Sequence, residues 1–523
     1  MSARAAALLF AGVAPLCGAP SAQGQRLNEP FVLAESDVLA FELDARGLNM
    51  LFAADGDSDG VNELYGGPTD YRHAPRKRNA PLTAGGDVTA FAISPDGAFG
   101  IYRADQDVDE VQELFAVPLA GGGAPVRLNP AQAADRDVTA FAISPDSARV
   151  VFLSNQRVVG SFEAWSAPLD GSAPAVLLQP LAGGRDALEL AISPDSTRVV
   201  VRADPAGVAE LFSVPIDGSL APVKLNGTLV QFGSVTNFRI SPDSQRVVYL
   251  ADQSRVGVFD VFGGPLDGSA AAVRLNARLP ANGDVTEWTI TPDARHVVYL
   301  ADSSQDTIFE LHLTDFAGNH AVVLDPDLAP GGIVRDFVVS PDGRFVAFRA
   351  ESLASDQIDL FCAPLRRTEW LADRRPVARV SGPLVLNGDV RLYEFADERI
   401  VYMADQEVDS RIELYSAPVE GRTPAMKLSQ PLPTTGITLL AVAEDELTVV
   451  YRAEKTANVP ELFAVPADGS TAPRRVSGEL VPAGAVLPSY VVRGRRVYYR
   501  ADQETDGIVE LFSSFLARPH LPR

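Results

Sequence analysis

Asp55, Asp57, Asp59 and Glu63 place four carboxylates within nine residues, in the order D-x-D-x-D-G-x-x-E with Gly60 in the glycine place. Hard cations such as calcium take several oxygen ligands from one short loop, and a glycine lets that loop turn sharply. The same carboxylate spacing returns near the other end of the chain at Asp502, Glu504, Asp506 and Glu510, with Gly507 in the glycine place. Asp105, Asp107, Asp109 and Glu113 keep the acids without the glycine, as do Asp405, Glu407, Asp409 and Glu413. "NQRVVGSFE", from Asn155 to Glu163, retains only the last acid. Two readings fit. One is a set of calcium loops at Asp55 and Asp502. The other is solvated hairpin loops, kept acidic by descent, whose flanking acids close the turn through hydrogen bonds.

The remaining reactive residues form no legible constellation. His73, His296, His312, His320 and His520 are scattered, without the spacing of a zinc site. Cys362 follows "LF" in a strand pattern and reads as a small buried residue. The only other cysteine, Cys17, lies in the N-terminal leader, so its removal leaves no intrachain disulfide. No G-x-S-x-G elbow and no phosphate-binding glycine loop occurs. Paired carboxylates are plentiful, but nothing singles out a glycosidase-like pair. Arg76-Lys77-Arg78 suggests an anion patch. Its register argues otherwise, because "APRKRN" aligns with "APVRLN" at 124–129 and so forms the outermost strand of a repeat, where charge blunts an edge. The formal net charge of −23, from 68 acidic and 45 basic residues, opposes binding to a phosphate backbone. Nucleic acid is therefore excluded as a partner, and cations or basic partners are favoured.

These residues sit in repeats. The acidic position of "RADQ…ELF" falls at Asp55, Asp105, Asp204, Asp252, Asp302, Glu351, Asp405, Glu454 and Asp502, and Asn155 fills the same slot, giving ten copies about 50 residues apart. That period indicates a propeller or a solenoid. Each copy reads as four short strands. "VTAFAIS" is apolar throughout, as for a strand covered on both faces. "SPDG" turns the chain, with Pro95 presetting φ and Asp96 and Gly97 completing the turn. "RVVYLAD", "ELFSVP" and "PVKLN" follow, rich in β-branched and aromatic residues. Four antiparallel strands per repeat make a propeller blade.

A strand ending in "SPDG" followed by "VVYxAD" resembles the TolB-type, WD40-like propeller repeat, over essentially the whole chain after the leader. TolB itself carries an α/β domain before its propeller, whereas blade-like sequence begins here soon after the leader, so the resemblance is to the repeat and not to TolB. The acidic loops resemble the calcium loops of integrin-type blades, which read D-x-D-x-D-G-x-x-D; Glu63 departs from the final Asp.

The expected fold is all-β: a propeller of about ten four-stranded antiparallel blades over residues 23–523. The last copy has "SYVV", "RVYYRADQ" and "ELFSSF" but no fourth strand, while "QRLNEP" (25–30) matches the fourth strand "VRLNPA". The N-terminal strand thus closes the ring and hides an open edge. Two smaller propellers are the alternative. Residues 1–22 have the basic start, apolar run and small-residue end of a signal peptide, and no other stretch is long and apolar enough to span a bilayer. The expected protein is exported, periplasmic or extracellular, and non-catalytic, with a loop face that binds a protein, glycan or small-molecule ligand. The alternatives are a purely structural surface protein and a propeller enzyme, a lyase or hydrolase on glycan or peptide, with its site at the axial mouth. Such an enzyme would gather titratable groups there with at least one shifted pKa.

Overall fold

The computed structural model describes residues 24–30, 36–130, 135–181, 184–318, 321–324, 332–351, 357–365, 377–432, 436–456 and 458–517. The signal-peptide assignment lies outside the described residues, as does most of the insertion "RRTEWLADRRPVAR" in the seventh repeat. The chain forms ten four-stranded antiparallel sheets arranged in a ring, here numbered as blades 1 to 10 in chain order. Blade 2 is typical, with strands Val88–Ile93, Phe99–Ala104, Glu113–Pro118 and Val126–Arg127.

The second and third strands carry the core. "GIY" of Phe99–Ala104 is buried on both faces, and Tyr102 stacks on Phe115 of the third strand with ring centroids 5.1 Å apart. The same cross-strand pair recurs as Tyr249 on Phe262, Tyr402 on Tyr415 and Tyr499 on Phe512. Directly opposed aromatics stabilise a sheet beyond the area they bury. The first strand departs from its expected two-sided cover. Val88 is buried but Thr89 is exposed, because first strands lie innermost and their free side faces the ring axis. A register shift after the first residue of this strand recurs in every blade, as between Val88 and Ala90. Such a bulge bends the inner strand and raises its twist.

The "SPDG" turn behaves as its residues require. Gly97 has φ +74°, and the serines in the same place, Ser147, Ser196 and Ser244, accept φ near +60°. Those serines have a compensating role. The Asp96 N–H donates to the Ser147 hydroxyl of the next blade at 3.0 Å, and Asp146 and Asp195 repeat this bond to Ser196 and Ser244. Burial opposes ionisation of Asp96, but hydrogen bonds from Ser94, the Ala98 N–H and Ser147 outweigh it and hold the carboxyl below its usual range.

Ten apolar clusters join the blades in succession. One links Leu51 and Leu64 of blade 1 to Tyr102 and Phe115 of blade 2. The last contains Leu27, Val38, Met50 and Phe52 with Tyr498 and Leu511, so blade 10 packs on blade 1. Gln25–Arg26 pairs antiparallel with Glu510–Phe515 as the outer strand of blade 10. The seam between last and first blades repeats the ordinary joint. Val38 N–H donates to Val509 O, and Val509 N–H donates to the Asp37 carboxylate, as Val88 does to Asn62 O and Asn62 does to Asp87. The ring is therefore single, and the two-propeller alternative does not occur.

Leu27 is buried in that seam, and Asn28 accepts the Leu511 N–H at 2.9 Å. Leu27→Ala should cost about 2–4 kcal/mol, as for other large-to-small core changes. Removing residues 25–30 should cost more and leave the last blade with a bare edge. Denaturant unfolding of both variants checks this; a thermally silent deletion would contradict the closure.

Candidate functional site

The acidic loops connect the second strand of each blade to the third. Asp55, at the loop's start, turns inward. Its Oδ1 accepts the Asp37 N–H at 2.6 Å. Asp105 and Asp502 do the same for Asp87 and Ala485, and Asn155 does it with an amide oxygen for Asp137, also at 2.6 Å in that blade. An amide that serves equally well shows that this slot needs an acceptor, not a charge. The glycine is likewise a turn requirement. Gly60 and Gly507 have φ +73° and +75°, and Glu110 and Ser410 adopt the same left-handed conformation in loops that lack it.

Glu63 opens the third strand and is buried. Its counter-ion is the Lys77 ammonium from the outer strand, which also lies 3.2 Å from Asp57. Burial, together with the neighbouring Glu63 and Asp57 charges, pushes the Tyr65 hydroxyl far above its usual range. The second loop is built identically. Arg26 lies 2.7 Å from Glu504 and 3.0 Å from Glu510, and burial raises the Glu510 carboxyl even though Arg26 opposes it. Arg127 bridges Asp107 and Glu113, and Lys427 bridges Glu407 and Glu413. Asp59 and Asp506 stand exposed at the loop tips. The structure thus brings Asp57 with Glu63, and Glu504 with Glu510, around a basic side chain, while Asp55 and Asp502 turn to backbone N–H groups. Among the described residues, no group of three or more His, Cys, Asp or Glu is arranged to hold a metal ion. In this structure the acids named as calcium donors lie beside basic side chains of the chain itself.

Blade 6 shows the rule by its exception. Val323 occupies the basic place, opposite His312. Glu310 instead accepts the Ser303 hydroxyl at 2.6 Å, and Ser303 lies 3.2 Å from His312 Nε2. Ser303 sits between acid and imidazole, so this trio lacks the order of a hydrolytic triad, in which the histidine stands between. His312 is buried, stacked on Tyr299, and pushed down to about 4 by burial against a weaker pull from Glu310. Cys362 is buried, as its sequence setting implied, and burial raises its thiol well above the usual range.

The axial wall holds a second cluster. Arg349 pairs with Asp336 of its own blade and donates to Val390 O and Arg391 O of the next. Tyr393 donates to Asp336 at 2.9 Å. Arg239 lies over Trp288, 5.5 Å from the ring centroid. Burial raises the Glu287 carboxyl, and the Asp336 charge adds to this against the opposing charge of Arg239. Glu42 and Glu394 are raised by burial too, each accepting a backbone N–H from the following blade. Arg103 and Arg500 clamp successive inner strands as Arg349 does, reaching Thr139 O and Val38 O. The inner arginines did not stand out in the sequence reading, and of the outer-strand cations only Lys77 did, within the basic triplet. The outer-strand cations had a usable signal, because in five blades the basic residue follows its acid by 14 residues.

No protein-family model matches the chain, and no curated protein sequence matches it. Among solved structures, it is similar to one described in a study of two prolyl endopeptidases and the role of inter-domain dynamics in their catalysis and specificity. The identity is 10%, the TM-score 0.36, and the match covers 71% of this chain and 55% of that one.

Three tests follow from this geometry. Lys77→Met leaves Glu63 buried without its cation and should destabilise by about 1–3 kcal/mol, less than a fully buried pair because Lys77 is partly solvated. Thermal melts across millimolar calcium test the loop: a saturable rise lost in Asp57→Asn supports a calcium site, and an unchanged melting temperature leaves Lys77 as its cation. Glu287 has a folded pKa raised above 4.5, so the stability of its protonated form is lost as pH rises through the folded value. Glu287→Gln should therefore gain stability over the parent at pH 7 and lose that gain near pH 4. Thermal melts across pH test the sign.

Proposed function

We propose that this chain is an exported, non-catalytic propeller, periplasmic or extracellular, that binds a protein partner on its acidic loop face. The repeat signature supports placing it with TolB-type, WD40-like propellers, and the layout of residues 1–22 supports export. One observation carries the binding role. The loop face displays large apolar side chains among its acids. Val108, Val159, Val256 and Val408 stand exposed at the hairpin tips, and Phe232 and Leu386, in the connections between blades, are 76% and 79% exposed. Apolar anchors in a charged surround are the composition of an interaction surface. The acids favour a partner with a basic, partly apolar surface.

Phe232 also sits at φ +69°, a conformation that disfavours a bulky residue. Phe232→Gly relieves that strain, so it should fold at least as well as the parent. Combined with Leu386→Ser, it should abolish capture of a partner from envelope extract. Capture that survives the double change would remove the loop face from the proposal.

A propeller enzyme is the second reading, and the raised carboxyl of Glu287 beside Asp336 and Arg239 is what favours it. Turnover of a glycan or peptide panel, lost in Glu287→Gln, would put that reading first.

A further inference from the structure

Lys77 leaves the outer strand of blade 1 toward the acidic loop. Strand alternation sends its neighbours Arg76 and Arg78 to the opposite side. There they meet Arg72 and His73 of the third-to-fourth-strand turn, along a groove of about 510 Å³ closed on the other side by Leu119 of blade 2. That volume suits a small organic ligand.

The repeat supplies its own comparison. Arg78 N–H donates to Leu64 O, and the residue making the same backbone bond in other blades is Leu27, Leu128, Leu225, Leu275, Leu324, Val380, Leu428 or Val476. All of those are buried and apolar. Arg78 is equally buried, at 7% exposure, so a guanidinium occupies a leucine slot. Its Nε donates to Gly66 O at 3.0 Å and one terminal nitrogen reaches Pro118 O at 3.4 Å. Among the described residues, no carboxylate lies within ion-pair distance of Arg72, Arg76 or Arg78. The neighbouring acid Asp70 is engaged with His73 at 3.0 Å and with the Arg72 N–H. Burial and the charge of Arg76 both disfavour the protonated form of Arg78. A buried, unpaired cation is costly unless an anion joins it.

The turn is also fixed in place. Tyr71 adopts φ +59° where Gly121, Gly171 and Gly268 sit in other blades, a conformation that costs a bulky residue about 1–3 kcal/mol. Its hydroxyl bonds Ser513 and accepts from Arg496 at 2.6 Å, both in blade 10. The contact across the ring seam holds the Arg72 and His73 backbone over the groove. The equivalent groove between blades 7 and 8 is smaller, about 220 Å³, and lined by Phe345, Cys362 and Ala378. Its one arginine, Arg422, is answered by Glu420 at 2.6 Å. The groove thus recurs between blades 7 and 8 with its arginine neutralised, whereas the blade 1 groove keeps its charge.

We propose that the groove between blades 1 and 2 binds a small organic molecule bearing a phosphate- or sulfate-type oxyanion. Guanidinium forks match tetrahedral oxyanions better than point charges do. Pro68 and Leu119 offer the apolar wall that an organic carrier would use. The acidity of the whole protein does not forbid this, because exposed charges beyond about 8 Å are largely screened at physiological salt.

The test uses the full chain at constant ionic strength. Calorimetry and thermal melts are run with glucose 6-phosphate, inorganic phosphate, inorganic sulfate and glucose. Arg78→Leu and Arg76→Val each install the side chain found in blade 2, so both should fold, and Arg78→Leu should melt higher than the parent without ligand. The parent should show a saturable rise with glucose 6-phosphate and a weaker one with the inorganic anions, and none with glucose. Each variant should weaken the phosphate response by about tenfold or more, equivalent to about 1.4 kcal/mol. No saturable response from any anion in the millimolar range overturns the site, as does a response undiminished in Arg78→Leu. Equal binding of inorganic phosphate and glucose 6-phosphate overturns the organic part of the proposal.

Discussion

A blade of this protein cannot bury its own faces. Its second and third strands are apolar on both sides, so each sheet is satisfied only when another packs on either face. With ten blades in a ring this condition is met everywhere at once, provided the last blade meets the first. The joint that does so combines an apolar cluster, a backbone bond from Val38 to Val509 and the Asp37 carboxylate on Val509 N–H. Lending the N-terminal strand to blade 10 makes opening of that joint require the breaking of a sheet as well as the parting of two faces. Closure at the seam is thus what keeps the other joints dry.

Much of this was legible because repeats average out local ambiguity. One "SPDG" is a weak turn signal, but its recurrence between a strand of "VTAFAI" type and one of "VVYLA" type fixes register and connection together. The missing fourth strand of the last copy and the unmatched "QRLN" at the start were each informative only because the repeat said what to expect. The loops were less legible. Spacing along the chain shows which carboxylates of 55–63 are close, not which basic group is opposed to them across a hairpin. Lys77 is 14 residues from Glu63, yet the third and fourth strands set it beside that acid. The basic triplet was placed on the correct strand, but its edge reading treated three side chains as one patch, whereas the pleat sends Lys77 to one side and its neighbours to the other.

The same geometry separates two kinds of charge on this molecule. Charges at positions shared by several blades hold the frame together. The third-strand acid has its outer-strand cation, and the inner arginine clamps the neighbouring first strand. Substituting one such group should change stability first. Charges peculiar to one blade have no framework role to explain them. Arg78 in a leucine slot belongs to this second kind; Glu287 shares its acidic place with Glu189 and Asp336 but faces Leu300 where they face Arg202 and Arg349.

A closed ring is also what lets such departures persist. In a free-standing sheet, a guanidinium in a core slot and a tyrosine at φ +59° would remove much of a marginal stability. Here blade 1 is held by blade 2 on one face and by blade 10 on the other. It cannot unfold alone without opening two apolar joints and the strand that closes the ring. The local cost is therefore carried by the cooperativity of the whole. That makes a position of poor local fit, inside an otherwise regular repeat, the place where a requirement other than folding has acted on the sequence.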